Sequence, residues 1–321
     1  MDQSGRLRRL RVSDERRARR NSPILGRLWN FSLSGPNPGR LRARIYVPEE
    51  LAPGSALVVV LHGCLQSASE YDDGTGWSKL ADRFGFALVF PQQRRRNNPL
   101  RGFNWFKSGD SHRDGGEPAS VIQMVRQVAG QYRTDPRRVF VTGLSAGGAM
   151  ASVLLATYPE VFAGGAIIAG LPYVHASTLG TALSRMEGED GSPTARELAT
   201  EVRDASGHAG AWPIVSVWHG GDDHTVDPSN AAQIVTQWRE LHGLGAESTT
   251  TDAFDGYTRR SWHNAAGREV IEEYAISGMG HGTPIIAPSD VLRPLPSPYM
   301  LAGPVSSTDR IATFWGLAPA G

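Results

Sequence analysis

The sequence predicts an α/β protein, with a mainly parallel central sheet carrying helices on both faces. Three observations support that class. Short apolar runs rich in β-branched residues recur along the chain, among them residues 56–61 (ALVVVL), 138–142 (RVFVT) and 214–218 (IVSVW), and such unbroken runs suit strands buried on both faces. Segments of helical periodicity alternate with them. No fixed-period repeat and no Ser/Thr/Pro-rich linker divides the chain, so residues 29–321 read as one catalytic domain behind an N-terminal arm of residues 1–28.

Residues 41–47 (LRARIYV) alternate like a half-buried strand, which Pro48 closes. The ALVVVL strand ends at His62-Gly63, a helix is expected over 76–84, and residues 86–90 form the next strand. Residues 91–118 are rich in Arg, Asn and Gly and contain Phe103, Trp105 and Phe106. That stretch is too long for an ordinary connection and is expected to be a functional loop. Pro118 opens a helix in which Val121, Met124, Val125 and Val128 share a face. The strand RVFVT leads into a helix of small and aliphatic residues over 146–157; further strands are expected at 165–169, 214–218 and 270–276, and helices at 193–205, 229–242 and 308–315. Residues 171–211 exceed what a crossover needs and form a possible cap over the C-terminal edge of the sheet, where ligands bind in this architecture.

With 40% hydrophobic and 20% charged residues over a length of 321, the composition is that of a globular protein. No apolar run approaches a transmembrane span, and the first residues lack the apolar core of a secretory signal, so the expected location is cytoplasmic. Cys64 is the single cysteine, which excludes intrachain disulfides and multi-cysteine metal sites. The formal charge of +1 hides an asymmetry: residues 1–20 hold eight Arg against Asp2, Asp14 and Glu15, a net +5 that leaves −4 for the remainder. A mildly acidic body makes nucleic acid an unexpected partner. The arm is expected to be a poorly ordered, solvated tail.

Gly143-Leu144-Ser145-Ala146-Gly147 matches G-x-S-x-G, a turn from strand to helix that exposes the serine hydroxyl. The pattern is common by chance in so glycine-rich a chain, and it counts here because a strand precedes it and a helix follows. A phosphate-binding loop is rejected, since Gly143 and Gly148 are followed by Ala149-Met150 where Lys and Ser/Thr are required. A serine nucleophile needs a general base and an orienting carboxylate, in the chain order Ser, acid, His. Both follow strands. Residues 219–226 (HGGDDHTV) supply Asp222 and Asp223, with Asp227 next in the chain, three carboxylates that spacing alone does not separate, and residues 278–282 (GMGHG) supply His281. His224 is the rival base, His62 and His219 read as packing or hydrogen-bonding residues, and His112, His208, His242 and His263 as bystanders. No zinc-hydrolase spacing of histidines occurs, and neither a metal nor a cofactor is expected. Two N–H donors should stabilise the oxyanion: Ala146 after the nucleophile, and Cys64 or Leu65 in the loop after ALVVVL.

Beyond these motifs, the blocks LHGCLQSASEYDDGTGW, FNWF, VTGLSAGGAMASVLLATYPEVFAGGAIIAGLPY, WPIVSVWHGGDD and GMGHGTP resemble the polyhydroxybutyrate depolymerase-type esterases of the α/β-hydrolase fold, related to feruloyl and acetylxylan esterases. The resemblance covers about residues 33–317. It implies Ser145 as nucleophile, His281 as base and Asp223 as acid through the pattern H-G-x-x-D-x-x-V, and it places Trp105 in the substrate site, with a core role as the alternative. The implied activity is serine-dependent hydrolysis of 3-hydroxybutyrate or similar esters through an acyl-enzyme. Feruloyl or acetylxylan esters, or acyl transfer on the same three residues, are the alternatives. Without an export signal or a polymer-attachment module, soluble oligomers, amorphous intracellular polymer or small esters are the expected partners.

Overall fold

The computed structural model describes residues 26–174, 179–188, 191, 193–286 and 298–319. The basic arm lies outside these residues except for its last three positions, of which Leu28 is already buried in the core.

Ten strands form one sheet: β1 (Trp29–Phe31), β2 (Arg42–Tyr46), β3 (Leu57–Leu61), β4 (Ala87–Gln92), β5 (Val139–Leu144), β6 (Gly164–Ile168), β7 (Ile214–Gly220), β8 (Thr250–Phe254), β9 (Tyr257–His263) and β10 (Glu269–Ile276). Their spatial order is β1-β2-β4-β3-β5-β6-β7-β10-β9-β8. The six strands from β4 to β10 in that order run parallel, and antiparallel pairs flank them on both sides. Every residue of β3, β5, β6 and β7 is buried, so both faces of the sheet are covered, as the unbroken apolar runs predict.

The helices are α1 (Ala68–Thr75), α2 (Trp77–Phe84), α3 (Gly116–Tyr132), α4 (Ala146–Thr157), α5 (Leu179–Met186), α6 (Ala195–Ser206), α7 (Ser229–His242) and α8 (Ser307–Phe314). Helix α1 begins with a reciprocal cap between Ser67 and Glu70. Helix α4 is buried along its whole length, which explains its Ala/Gly-rich sequence: only small side chains let a helix lie this close to β5 and β6. Pro118 sits inside the first turn of α3, where its missing N–H costs no bond. Within residues 171–211, the end of α5 meets the loop after β7, through Asp227 N–H donating to Met186 O at 2.7 Å and Asn230 Nδ2 to Arg185 O at 3.0 Å; residues 175–178, 189–190 and 192 of this stretch lie outside the described residues.

Sequence periodicity misses β1, β8 and β9. Strand β8 is exposed along its entire length, so it lacks the apolar alternation that marks a strand. The usable signal was Asp255-Gly256, the two-residue turn joining β8 to β9, with Gly256 at φ +81°. A small parallel pair, β11 (Thr283–Ile285) with β12 (Met300–Ala302), completes the fold.

Candidate active site

Because the central strands are parallel, the loops after β3, β4, β5, β7 and β10 open on one edge of the sheet. Apart from Trp105, the expected catalytic residues and oxyanion donors lie on, or at the start of, four of these loops, those after β3, β5, β7 and β10. Trp105 follows β4.

Ser145 forms the turn between β5 and α4 with φ +56° and ψ −119°, a left-handed conformation that costs a non-glycine residue free energy. Its neighbours make that turn possible: a Cβ on Gly143 would lie 2.3 Å from Gly147 O, and one on Gly147 would lie 2.4 Å from Leu61 O. Any side chain at either position would push α4 away from the ends of β3 and β5. Ser145 N–H donates to Ile168 O at 2.9 Å, which ties the turn to β6.

The loop after β10 folds back across the end of β7. Asp222 N–H donates to Met279 O at 3.0 Å, and a Cβ on Gly220 would meet that same oxygen at 2.1 Å, so the close approach requires glycine at 220. This return brings His281 to Asp223, with Nδ1 and Oδ2 2.7 Å apart. Three further donors hold the carboxylate: Thr225 N–H and Val226 N–H reach Oδ1 at 2.8 and 2.9 Å, and His219 Nε2 lies 3.3 Å from Oδ2 while also bonding Val226 O at 2.9 Å. Burial alone would raise the pKa of Asp223, but the bonds from His219, His281 and Val226 outweigh it and hold the carboxyl well below the usual carboxylate range. An ionised Asp223 accepts a hydrogen bond from His281 Nδ1–H, which leaves Nε2 as the basic nitrogen. On its other side the imidazole packs edge-on against Tyr299, with ring centroids 5.9 Å apart.

The structure separates the three aspartates that spacing leaves open. Asp222 is exposed, and Asp227 accepts from Ser229 N–H at 2.8 Å at the start of α7. Asp223 is buried and bonded to His281. His224, the rival base, is exposed.

The side chains of the two residues expected to give oxyanion donors both lie beside Gly102. A Cβ there would stand 2.4 Å from Cys64 Sγ and 3.4 Å from Ala146 Cβ. As the first residue of α4, Ala146 has no intrahelical acceptor for its N–H. Leu65 N–H is already committed to Leu100 O at 2.7 Å, whereas Cys64 N–H has no acceptor among the described residues. Of the two alternatives in this loop, Cys64 therefore has the free donor. Burial raises the Cys64 thiol pKa, which removes the thiolate a nucleophile would need.

The hydrogen-bonding role expected of His62 is present, but sequence reasoning missed the rest of the polar network behind this loop. His62 donates from Nδ1 to Gly63 O at 2.8 Å and accepts from Gln93 N–H at 3.2 Å, and burial lowers its pKa to about 4, so it stays neutral. The Gln93 side chain donates to Glu117, whose carboxylate also takes Asn104 N–H at 2.9 Å and Asn104 Nδ2 at 2.7 Å. Burial, then the charge of Asp110, raises Glu117 to about 8. Glu117 stands in the first turn of α3 and reads from sequence as an ordinary helix-start acid. Trp105 follows Asn104, is 9% exposed and packs edge-on against Phe106, so most of its surface belongs to the core.

A model of the esterase PHB depolymerase family matches residues 42–261. The chain belongs to that family. Poly(3-hydroxyalkanoate) depolymerase C of Paucimonas lemoignei is 42% identical over 260 residues, which cover 80% of this chain and 62% of that relative. Feruloyl esterase B of Talaromyces stipitatus is 32% identical over 268 residues, 80% of this chain and 72% of that one. Acetylxylan esterase A of Emericella nidulans is 30% identical over 284 residues, with coverages of 85% and 90%. Among solved structures, an acetyl xylan esterase from Aspergillus awamori superposes with a TM-score of 0.77 at 24% identity over 91% of this chain and all of that one. This PHB depolymerase-family chain has the α/β-hydrolase fold.

Proposed function

We propose that this protein is a serine carboxylic-ester hydrolase that cleaves 3-hydroxybutyrate-type oligo- or polyesters through an acyl-enzyme on Ser145. The observation that carries the reading is the Asp223–His281 bond of 2.7 Å, made at the same sheet edge as the strained serine turn. His281 Nε2 takes the proton of Ser145 as its oxygen attacks the ester carbonyl, then delivers it to the leaving alcohol, and water repeats the sequence to release the acid. Asp223 fixes the imidazole tautomer and stabilises the imidazolium. The N–H groups of Ala146 and Cys64 face the developing oxyanion, a contribution of about 3 to 4 kcal/mol each. The 42% identity to a poly(3-hydroxyalkanoate) depolymerase supports the hydroxyalkanoate substrate.

A fluorophosphonate should label Ser145, and Ser145→Ala should abolish hydrolysis of a short-chain nitrophenyl ester. Activity surviving in Ser145→Ala would overturn the assignment. The substrate is tested by kcat/KM across 3-hydroxybutyrate oligomers, methyl ferulate and acetylated xylan, where a hundredfold preference corresponds to about 2.7 kcal/mol of transition-state binding. A preference for the ferulate or the xylan ester would replace the hydroxyalkanoate reading with the carbohydrate-esterase one.

A further inference from the structure

Five arginines, Arg42, Arg94, Arg95, Arg96 and Arg101, line one cavity of about 520 Å³ together with Gln92 and Gln93. None of the five has a carboxylate within ion-pair distance among the described residues, and Arg101 Nε is buried without an acceptor. Elsewhere on this chain Arg259 is paired with Glu269 and Glu272, and Arg113 with Glu160. Gathering like charges without counter-charges costs free energy, and a cleft lined by one sign attracts ions of the other.

The cavity opens at the same edge of the sheet as the candidate active site. Arg42 pairs in register with Gln92, the last residue of β4, so both sit at the sheet edge that carries Ser145. Arg101 donates from its guanidinium to Leu65 O, and Leu65 N–H returns a bond to Leu100 O, so the cationic wall is fastened to the expected oxyanion loop. Both Leu65 and Arg101 are held at positive φ, +64° and +55°, a strained pair that this bonding maintains. The next residue, Gly102, touches Cys64 and lies against Ala146. Arg101 of the cavity is therefore next in the chain to a glycine that packs on the side chains of Cys64 and Ala146, the two residues expected to give the oxyanion donors.

We propose that this cavity binds a carboxylate carried on the alcohol part of the substrate, so that acid-ended soluble oligoesters are the preferred substrates. The inference rests on the ester-hydrolase reading and adds a substrate class to it. When an oligomer of a hydroxy acid is cut near its acid end, the alcohol that leaves bears the terminal carboxylate. The acyl C–O bond breaks, the alcohol oxygen takes the proton from His281, and the carboxylate passes through unchanged. Guanidinium groups suit it because their N–H pairs match the two carboxylate oxygens.

The test compares the free acid of the 3-hydroxybutyrate trimer with its methyl ester. The wild-type chain should favour the acid about tenfold in kcat/KM at low ionic strength, about 1.4 kcal/mol, and the preference should shrink as salt is raised. In Arg95→Ala/Arg96→Ala the ratio of acid to ester should fall close to one; because the ratio is read within each protein, a general loss of activity cancels. Arg42→Gln supplies the same measurement should the double variant fail to fold. Equal rates on acid and methyl ester in the wild type, or a ratio that persists in the arginine variants, would overturn the proposal. Calorimetric binding of both trimers to Ser145→Ala separates the two levels of inference. Tighter binding of the acid there supports the cavity even if no ester is turned over, and equal binding refutes it whatever the hydrolase assay gives.

Discussion

His281 Nδ1 and Asp223 Oδ2 lie 2.7 Å apart, although 58 residues separate them in the chain. The other oxygen of the same carboxylate is held by two backbone N–H groups, of Thr225 and Val226, so the aspartate cannot turn away from the imidazole. The pair is a fixed object that the folded loops after β7 and β10 present together.

Replacing Asp223 by Asn should lower kcat by about 10⁴-fold, the loss expected when the imidazole is left in the wrong tautomer. Asp222→Asn and Asp227→Asn should remain within about threefold of wild type, because neither carboxylate reaches His281 and surface changes of this kind act weakly. Steady-state kinetics on a nitrophenyl ester decides between them, and equal losses for all three would remove the special status of residue 223. The same carboxylate has a stability signature. Its folded pKa is depressed, so the stabilisation is present above the unfolded value of about 3.9 and disappears as pH falls toward the folded value. Urea midpoints of wild type and Asp223→Asn should therefore converge at low pH.

Gly102 and Cys64 should be coupled. A methyl group at 102 would stand 2.4 Å from Cys64 Sγ, and the space has to come from the loop that carries the free N–H. Gly102→Ala is expected to cost about tenfold or more in kcat, as donors displaced from the oxyanion do. Removing the sulfur in Gly102→Ala/Cys64→Ala should recover most of that loss, and Cys64→Ala alone should be nearly silent. Additive effects in this double-mutant cycle would show that the two positions act separately.

Glu117 should make stability depend on pH in the opposite sense to Asp223. Its folded pKa is raised to about 8, so the contribution is complete below the unfolded value, about 4.3, and is lost as pH rises through about 8. Urea midpoints measured between these limits should fall for the wild type and stay flatter for Glu117→Gln. Glu117→Ala leaves Gln93 and Asn104 with unsatisfied buried donors and should cost about 1 to 3 kcal/mol. A Glu117→Gln midpoint that tracks the wild type across this range would mean that the group does not titrate there.

Much of the architecture was legible because burial leaves a local trace. The runs ALVVVL, RVFVT and IVSVW mark strands covered on both faces, and each lies in the sheet where the pattern predicts. The serine turn was legible for a related reason: glycines at 143 and 147 are required by contacts with backbone only a few residues away or at a neighbouring strand end. Strand β8 left no such trace, since an exposed edge imposes no periodicity.

What the amino-acid order determined by itself was the strand–helix alternation, the turn that carries Ser145 and the set of residues from which an acid and a base had to come. Spacing left three aspartates open and the family pattern favoured Asp223; the bond that joins Asp223 to His281, the commitment of the Leu65 N–H that leaves the Cys64 N–H free, and the meeting of Arg42 with Arg94, Arg95, Arg96 and Arg101 at one cavity belong to the tertiary structure alone. Periodicity records only whether a side chain faces the interior, whereas hydrogen-bond partners and charge clusters depend on distances between segments far apart in the chain, and those distances exist only once the sheet has been assembled.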